Sequence, residues 1–257
     1  MNLAQLYESL TQQLIAGQTL SGWENLFYGF YKSFLDQNRW KLYLDGVVVT
    51  LEVTALALIL GVILGVLVAV IRSAHDQQRP GHRNFLLGIV NAICKVYVTV
   101  IRGTPMMVQL LIMGFVIFSS SREYTMVGTL TLGINSGAYV AEIVRGGLMS
   151  VDRGQSEASR SLGLNYLDTM RFIIIPQAFK NILPALGNEF ITLFKDTALI
   201  SAIGGKELVY AAKAVGSQTY DVMYPYIGIA VIYLIMVLLF SWLQNKLERR
   251  LQESDRR

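Results

Sequence analysis

Residues 53–71, VTALALILGVILGVLVAVI, run for nineteen positions without a charged side chain. A helix needs about 20 residues to cross the hydrocarbon core of a bilayer. Inside that core every backbone N–H and C=O must find its partner within the protein, so such a run is a helix or part of a closed barrel. The run has no alternation of period two, which predicts a membrane-crossing helix. Composition agrees, because 53% hydrophobic and 16% charged residues with a mean hydropathy of +0.44 are too apolar for a soluble domain of 257 residues.

Four further spans are expected. Ile227 to Leu243 is nearly as long and is followed by a charged tail, which makes it the last. Met106 to Phe118 is apolar but short, and reaches membrane length only by continuing into Ser119 to Ser121 or by beginning before Pro105. Thr125 to Val144 contains Gly133 and Gly137, a small-xxx-small pair that lets helices approach closely. Ile182 to Ile203 carries Glu189, Lys195 and Asp196, so it must face protein or water. Phe85 to Ile101 has helical periodicity but also Asn91 and Lys95, which predicts a helix along the membrane face, ending where Arg102-Gly-Thr-Pro105 bends the chain.

Basic residues assign the sides. Fifteen of the 22 Lys and Arg lie in three segments, 72–102, 145–180 and 246–257. The positive-inside rule puts those segments in the cytoplasm and the N-terminus outside, and an odd number of spans agrees. This asymmetry also accounts for the net charge of +4, so no nucleic-acid partner is implied. The N-terminus has no Lys or Arg before Lys32 and does not read as a cleaved signal peptide. Cys94 is the single cysteine, which excludes an intrachain disulfide. Residues 1–42 read as an interfacial amphipathic arm, with Phe27, Phe30, Tyr31 and Phe34 at helical spacing for the lipid interface. Residues 43–250 read as the transmembrane domain and 251–257 as a cytoplasmic tail. The stretch Lys206 to Tyr226, with four tyrosines at 210, 220, 224 and 226, is expected outside, as an interfacial belt or as a face for an external partner.

Between two spans lies EASRSLGLNYLDTMRFIIIP, residues 157–176, within a polar stretch of about thirty residues. A loop there needs only a few residues, so the excess predicts a structured element. Glu157 to Leu162 has good helix propensity, Gly163 can end that helix in a left-handed cap, Asp168 can supply charge or capping to a second helix, and Pro176 marks where that helix bends back. On these features alone a solvated loop is the favoured reading and the knob the alternative.

The pattern Glu157-Ala158-Ser159, three residues, Gly163, nine residues, Ile173, one residue, Ile175-Pro176 resembles the EAA loop of bacterial ABC-importer permeases, with Ser159 for Ala and Ile175 for Leu. The segments YVTVIRGTPMMVQLL, GAYVAEIVRGGLMSVDRGQSEASRSLGL and FKDTALISAIGGKEL resemble the polar amino-acid branch of that family. The likeness covers about Gly46 to Leu247. It implies an all-α membrane protein of about five transmembrane helices with a cytoplasmic coupling helix, the type I importer permease, in a bacterial cytoplasmic membrane. It further implies a separate ATPase dimer gripped through Glu157, Ala158, Ser159, Gly163 and Pro176. A second permease chain, identical or homologous, and an extracytoplasmic amino-acid-binding protein complete the expected partners. The chain has no Gly-x-x-x-x-Gly-Lys-[Ser/Thr] cradle, since Gly204-Gly205-Lys206-Glu207 lacks both its spacing and its hydroxyl. It is therefore expected to be no enzyme and to carry no cofactor, with ATP and magnesium on the ATPase.

Charged groups within spans call for compensation. Glu52, Glu142, Glu189, Lys195 and Asp196 are the ones to explain. Asn135, Ser136, Glu142, Lys195, Asp196 and Thr197 are candidates to line a translocation path; the intramembrane charges are equally open to pairing between helices. An ion-coupled carrier is the alternative function, and it gives the polar segment no role. A membrane enzyme has neither a metal motif nor a nucleophile elbow to support it.

Overall fold

The computed structural model describes residues 2–78 and 84–255, without the side chains of 252–255. Arg79, Arg83, Arg256 and Arg257, part of the basic pattern above, lie outside the described residues, as does the end of the expected tail. The helices are α1 (Leu3–Ile15), α2 (Gly22–Phe30), α3 (Trp40–Asp76), α4 (Phe85–Gly103), α5 (Met106–Ile112), α6 (Tyr124–Met149), α7 (Arg153–Ser161), α8 (Tyr166–Thr169), α9 (Ile175–Asp196), α10 (Leu208–Thr219) and α11 (Met223–Asp255). No strand occurs among the described residues. Two compact units are present, Met1–Thr50 with Lys206–Met236, and Leu51–Gly205 with Val237–Arg257.

The first unit takes in the N-terminal arm. Its core is Tyr43, Leu208, Ala211, Ala212, Val215 and Ile229, with Phe34 packed against it. The arm's aromatic residues are half-buried and meet other rings of the unit. Phe34 stacks on Tyr43 at 4.4 Å, Phe30 meets Tyr224 edge-on at 5.4 Å, and Tyr31 stacks on Tyr7 at 4.5 Å. Gly29 and Gly228 are glycines because a Cβ there would run into the rings of Tyr224 and Phe34. Arg39, 7% exposed, ties the turn before α3 together by donating to the Lys32 carbonyl at 2.6 Å and to Asp36 at 2.9 Å.

Glu207 caps α10, accepting from the backbone of Val209 at 2.7 Å and Tyr210 at 2.9 Å, and from the Tyr233 hydroxyl at 3.3 Å. It is 1% exposed. Burial pushes its carboxyl up to about 7, against the opposing pull of those donors and Lys213.

In the second unit α6 is the hub. Fourteen of its 26 residues are buried, most of them small or polar. Gly61 and Gly65 of α3 lie on α6 opposite Ser136, Gly137, Val140 and Ala141, while Gly133 and Gly137 of α6 receive Leu60 and Leu64. The small-xxx-small motif of α6 is thus answered by a second one on α3, and the backbones close on each other as such pairs permit. On another side α6 packs on α9, where Ala69, Val140, Val144, Ala178 and Ile182 form a core. Phe190 and Phe194 of α9 set their edges against Phe240 of α11.

Three described helices are long and apolar enough to cross a bilayer by themselves, namely Trp40–Asp76, Phe85–Gly103 and Met223–Leu251, with Met106–Ile117 shorter. α3 begins well before Val53 and extends over 37 residues, about 55 Å at 1.5 Å per residue. α4 lays one face on α6. Val98 is buried with Ala138 and Ala141, and the Tyr97 hydroxyl donates to the Ile134 carbonyl at 2.6 Å, near the middle of α6. α4 therefore packs among the spans, with Asn91 and Cys94 on its buried face.

The short span is explained at the same place. Pro105 ends α4, leaving carbonyls that in lipid cost several kcal/mol if unpaired. The Thr104 hydroxyl donates to the Val100 carbonyl at 2.8 Å, and Gln109 Nε2 reaches back from α5 to the carbonyls of Ile101 at 2.7 Å and Thr104 at 3.1 Å. α4 and α5 are two halves of a broken helix whose gap Gln109 closes.

Replacing Gly65 by Leu should cost about 1 to 3 kcal/mol of stability, since its Cβ would lie 2.6 Å from Val140. Thermal unfolding in detergent should show a melting point lower by several degrees, whereas Gly88→Leu, with open space around it, should melt near the parent. A second measurement concerns Glu207. The folded chain holds its proton between the ordinary 4.5 and about 7, and the unfolded chain releases it. Stability should therefore fall as pH rises through that window, and Glu207→Gln should lose this slope.

Candidate functional site

Two places gather the residues singled out in the sequence. The first is a polar seam across the middle of α6. Asn135 and Ser136 are adjacent and point to different neighbours because consecutive helical residues diverge by 100°. Asn135 Nδ2 donates to Gln109 Oε1 at 3.0 Å, joining α6 to the break between α4 and α5. The Ser136 hydroxyl, fully buried, donates to Glu189 of α9 at 2.8 Å. Thr131, one turn away, turns its hydroxyl onto the Val127 carbonyl and is satisfied within α6. A hollow of about 230 Å³ adjoins the break, walled by Val100, Val108, Ile112, Met113 and Thr131 with Gln109 at its polar end.

Asp196 lies seven residues after Glu189, two turns along the same face of α9. It is half-buried, whereas its neighbour Lys195 is exposed, as expected for adjacent positions on a helix. Thr197 is buried but donates to the Phe194 carbonyl at 2.7 Å, so its hydroxyl is occupied by the helix end. Glu142 is held elsewhere. It pairs with Arg72 of α3, with Arg145 at 3.2 Å and with Arg102 at 3.8 Å. Glu52 is exposed on α3. Gln109 was not singled out by its residue type. The signal was its position, four residues after a proline that had to leave carbonyls open.

The second place is the polar stretch, which folds as a compact knob. Asp152 caps α7 by accepting from the Gly154 N–H at 2.6 Å. Its other end is a Schellman cap: Leu164 N donates to Ser159 O at 3.1 Å and Gly163 N to Arg160 O at 3.0 Å. Gly163 has φ +82°, a conformation that costs other residues about 1 to 2 kcal/mol. Ser159 is 1% exposed and turns its hydroxyl onto the Gln155 carbonyl at 2.8 Å, which is how it fills a site an Ala would fill. Glu157 and Ala158 face outward. Leu162, Tyr166 and Leu167 are also largely exposed, at 83%, 55% and 74%.

α8 is capped by Asn165, which accepts from Asp168 N at 2.9 Å, so Asn165 takes the capping role anticipated for Asp168. The chain stays helical through Pro176. A π-helical turn, Met170–Ile174, carries α8 directly into α9, and Pro176 sits exposed at the start of α9. The wider turn suits a residue that lacks an N–H and crowds the turn before it. At the base of the knob, Asn181 of α9 donates to the Ser150 hydroxyl at 2.8 Å, and Ser150 to the Gly147 carbonyl at 2.7 Å. A cleft of about 470 Å³ opens beside α7, lined by Gln77, Asp152, Ser156, Arg160, Tyr166 and Met170. Among the described residues no three of His, Cys, Asp and Glu converge on a point where a metal ion could sit.

Residues 61–253 match the family described as the binding-protein-dependent transport system inner membrane component. The arginine transport system permease protein ArtQ of Bacillus subtilis is 34% identical over 227 residues, covering 82% of this chain and 93% of that protein. A putative glutamine transport system permease protein, GlnP, of Rickettsia typhi is 35% identical over 211 residues, 81% of this chain and 92% of that one. Among solved structures, the crystal structure of an amino acid ABC transporter with histidines superposes with a TM-score of 0.73 at 43% identity, over 82% of this chain and 94% of its own. The matched residues include α6, the knob and α9, and on these grounds the chain belongs to the family of binding-protein-dependent transport system inner membrane components.

Proposed function

We propose that the chain is the membrane-spanning subunit of an ATP-driven importer of polar amino acids, and that α7 is its coupling helix. The observation that carries this reading is the knob. Both ends of α7 are capped, Glu157 is presented to solvent, and its two connections lead into α6 and α9, which are locked to each other at Ser150–Asn181 and at Gly147 beneath Ile182. A displacement of α7 therefore moves two packed helices together, which is what a mechanical coupling to an ATPase requires.

The partners follow from that role. An ATPase dimer holds ATP and magnesium and grips α7, this chain contributing no cofactor. A second permease chain completes the path, and an extracytoplasmic binding protein delivers the amino acid. The basic segments flanking α7 support a position for it in the bacterial cytoplasm, with the N-terminus outside and the C-terminus inside. Within the membrane the path follows the seam of Asn135, Ser136 and Glu189, with Asp196 two turns further along α9. Carboxylates there suit an ammonium group, and the amides of Gln109 and Asn135 suit a carboxylate.

In vesicles containing the assembled transporter, Glu157→Ala should change stability by no more than about 0.5 kcal/mol, because the side chain is exposed. The same change should cut amino-acid uptake about tenfold while ATP hydrolysis by the free ATPase is unaltered. Unchanged uptake would refute the coupling role. In the seam, Glu189→Gln and Asp196→Asn should each lower the stimulation of ATP hydrolysis by loaded binding protein. If stimulation and uptake both stay at the parent level, these carboxylates do not line the path.

A further inference from the structure

At the end of the second unit that carries α7, three guanidinium groups surround one carboxylate. Arg72 of α3, Arg102 of α4 and Arg145 of α6 all address Glu142, at 3.8 Å for Arg102 and 3.2 Å for Arg145. Three positive charges against one negative leave two in excess. Nearby acids do not make up the difference, since Asp76 faces His75 at 3.4 Å and Asp152 caps α7. Two donors also lack partners among the described residues, the buried Nε atoms of Arg72 and Arg145. Arg145 spends one nitrogen on the Met149 sulfur at 3.3 Å, a weak acceptor, and Arg102 lies over the Tyr139 ring at 5.2 Å.

The cluster is reachable. The side chains of Arg102 and Arg145 are 43% and 29% exposed, while Arg72 and Glu142 form its floor at 13% and 23%. Its depth is also fixed. Glu142 stands seven residues before Met149, the last residue of α6, or about 10 Å at 1.5 Å per residue. Arg72 stands four residues before the end of α3. Arg72 also directly follows the charge-free run 53–71 of α3, the position at which a span meets the headgroups and basic recesses between helices collect anionic lipid.

We infer that Arg72, Arg102 and Arg145 form a binding site for an oxyanion, with Glu142 as an internal ligand that holds the guanidinium groups in place. The planar fork of arginine matches a phosphate or a carboxylate in two-point contact. Two sources offer that chemistry here, the phosphate of an anionic phospholipid and the carboxylate of an amino acid. The inference goes beyond the transport reading, and its lipid arm does not depend on it.

The purified, delipidated full chain, titrated with phosphatidylglycerol or phosphatidylcholine and followed by native mass spectrometry, provides the test. Phosphatidylglycerol should bind about tenfold more tightly than phosphatidylcholine, and R102Q or R145Q should remove most of that preference. Glu142→Gln should act in the opposite direction and strengthen phosphatidylglycerol binding, because it removes the resident anion and leaves the three guanidinium groups. If the cluster were only a salt bridge, all three variants would weaken the chain alike. A loss of binding in Glu142→Gln, indifference to R102Q and R145Q, or an equal loss in Lys95→Gln, a basic residue elsewhere on α4, overturns the site. Should phosphatidylglycerol show no preference while millimolar L-glutamine raises the melting point, with R102Q and Glu142→Gln again opposed in sign, the oxyanion is the amino-acid carboxylate and the site stands. No response to either overturns it.

Discussion

The close approach of α3 and α6 is the constraint from which the second unit follows. Lipid gives helices no hydrophobic reason to associate, so contact must come from packing and from polar bonds that packing makes possible. Glycines at 61 and 65 on one helix and at 133 and 137 on the other remove the side chains that would keep the backbones apart. With that gap closed, Ser136 is fully buried and within reach of Glu189, and the Tyr97 hydroxyl can enter against Gly137 to bond the Ile134 carbonyl. The seam is polar because α6 is enclosed by protein, and α6 can be enclosed because it is lined with small residues.

The break between α4 and α5 rests on the same accounting. A proline in lipid forces open carbonyls to find donors, and here the hydroxyl of the residue just before it and an amide one turn after it provide them. Gln109 then has its oxygen free to accept from Asn135. A single side chain both repairs the backbone and connects the broken helix to the hub. Interrupted helices of this kind occur at transport sites because their exposed termini and repairing groups are the polar features available at that depth.

Much of this was legible in the chain. The run at 53–71 announced a span, the G-x-x-x-G at 133–137 announced close packing, and the spacing from Glu157 to Pro176 announced a structured knob with a left-handed cap at Gly163. What escaped had a common cause, which is that pairwise geometry is not written in a local pattern. The glycines at 61 and 65 look like ordinary members of an apolar run until α6 is laid on them. Which of Asn91 and Lys95 turns inward is likewise set by what α4 packs on, Asn91 facing in and Lys95 out on the same helix. The aromatic residues of the arm have the spacing of a lipid anchor, and that spacing does not tell that Phe30 and Phe34 also meet the rings of Tyr224 and Tyr43. Pro176 reads as a bend, and a π-helical turn absorbs it.

That turn bears on how motion could travel. A bend at Pro176 would have placed a compliant joint between the knob and α9, and the force of a moving partner would have been spent in flexing it. The structure instead runs helical from Tyr166 to Asp196, through α8, the π-helical turn and α9. On the other side of α7 only Ser150 to Asp152 separate it from α6, and Ser150 is itself bonded to Asn181. α6 and α9 are thus joined beside α7 and meet again at Ser136 and Glu189. In the proposed coupling role the knob and the polar seam are two ends of one connected pair of helices, and a change of angle at α7 has a path to the polar groups that cross the middle of α6.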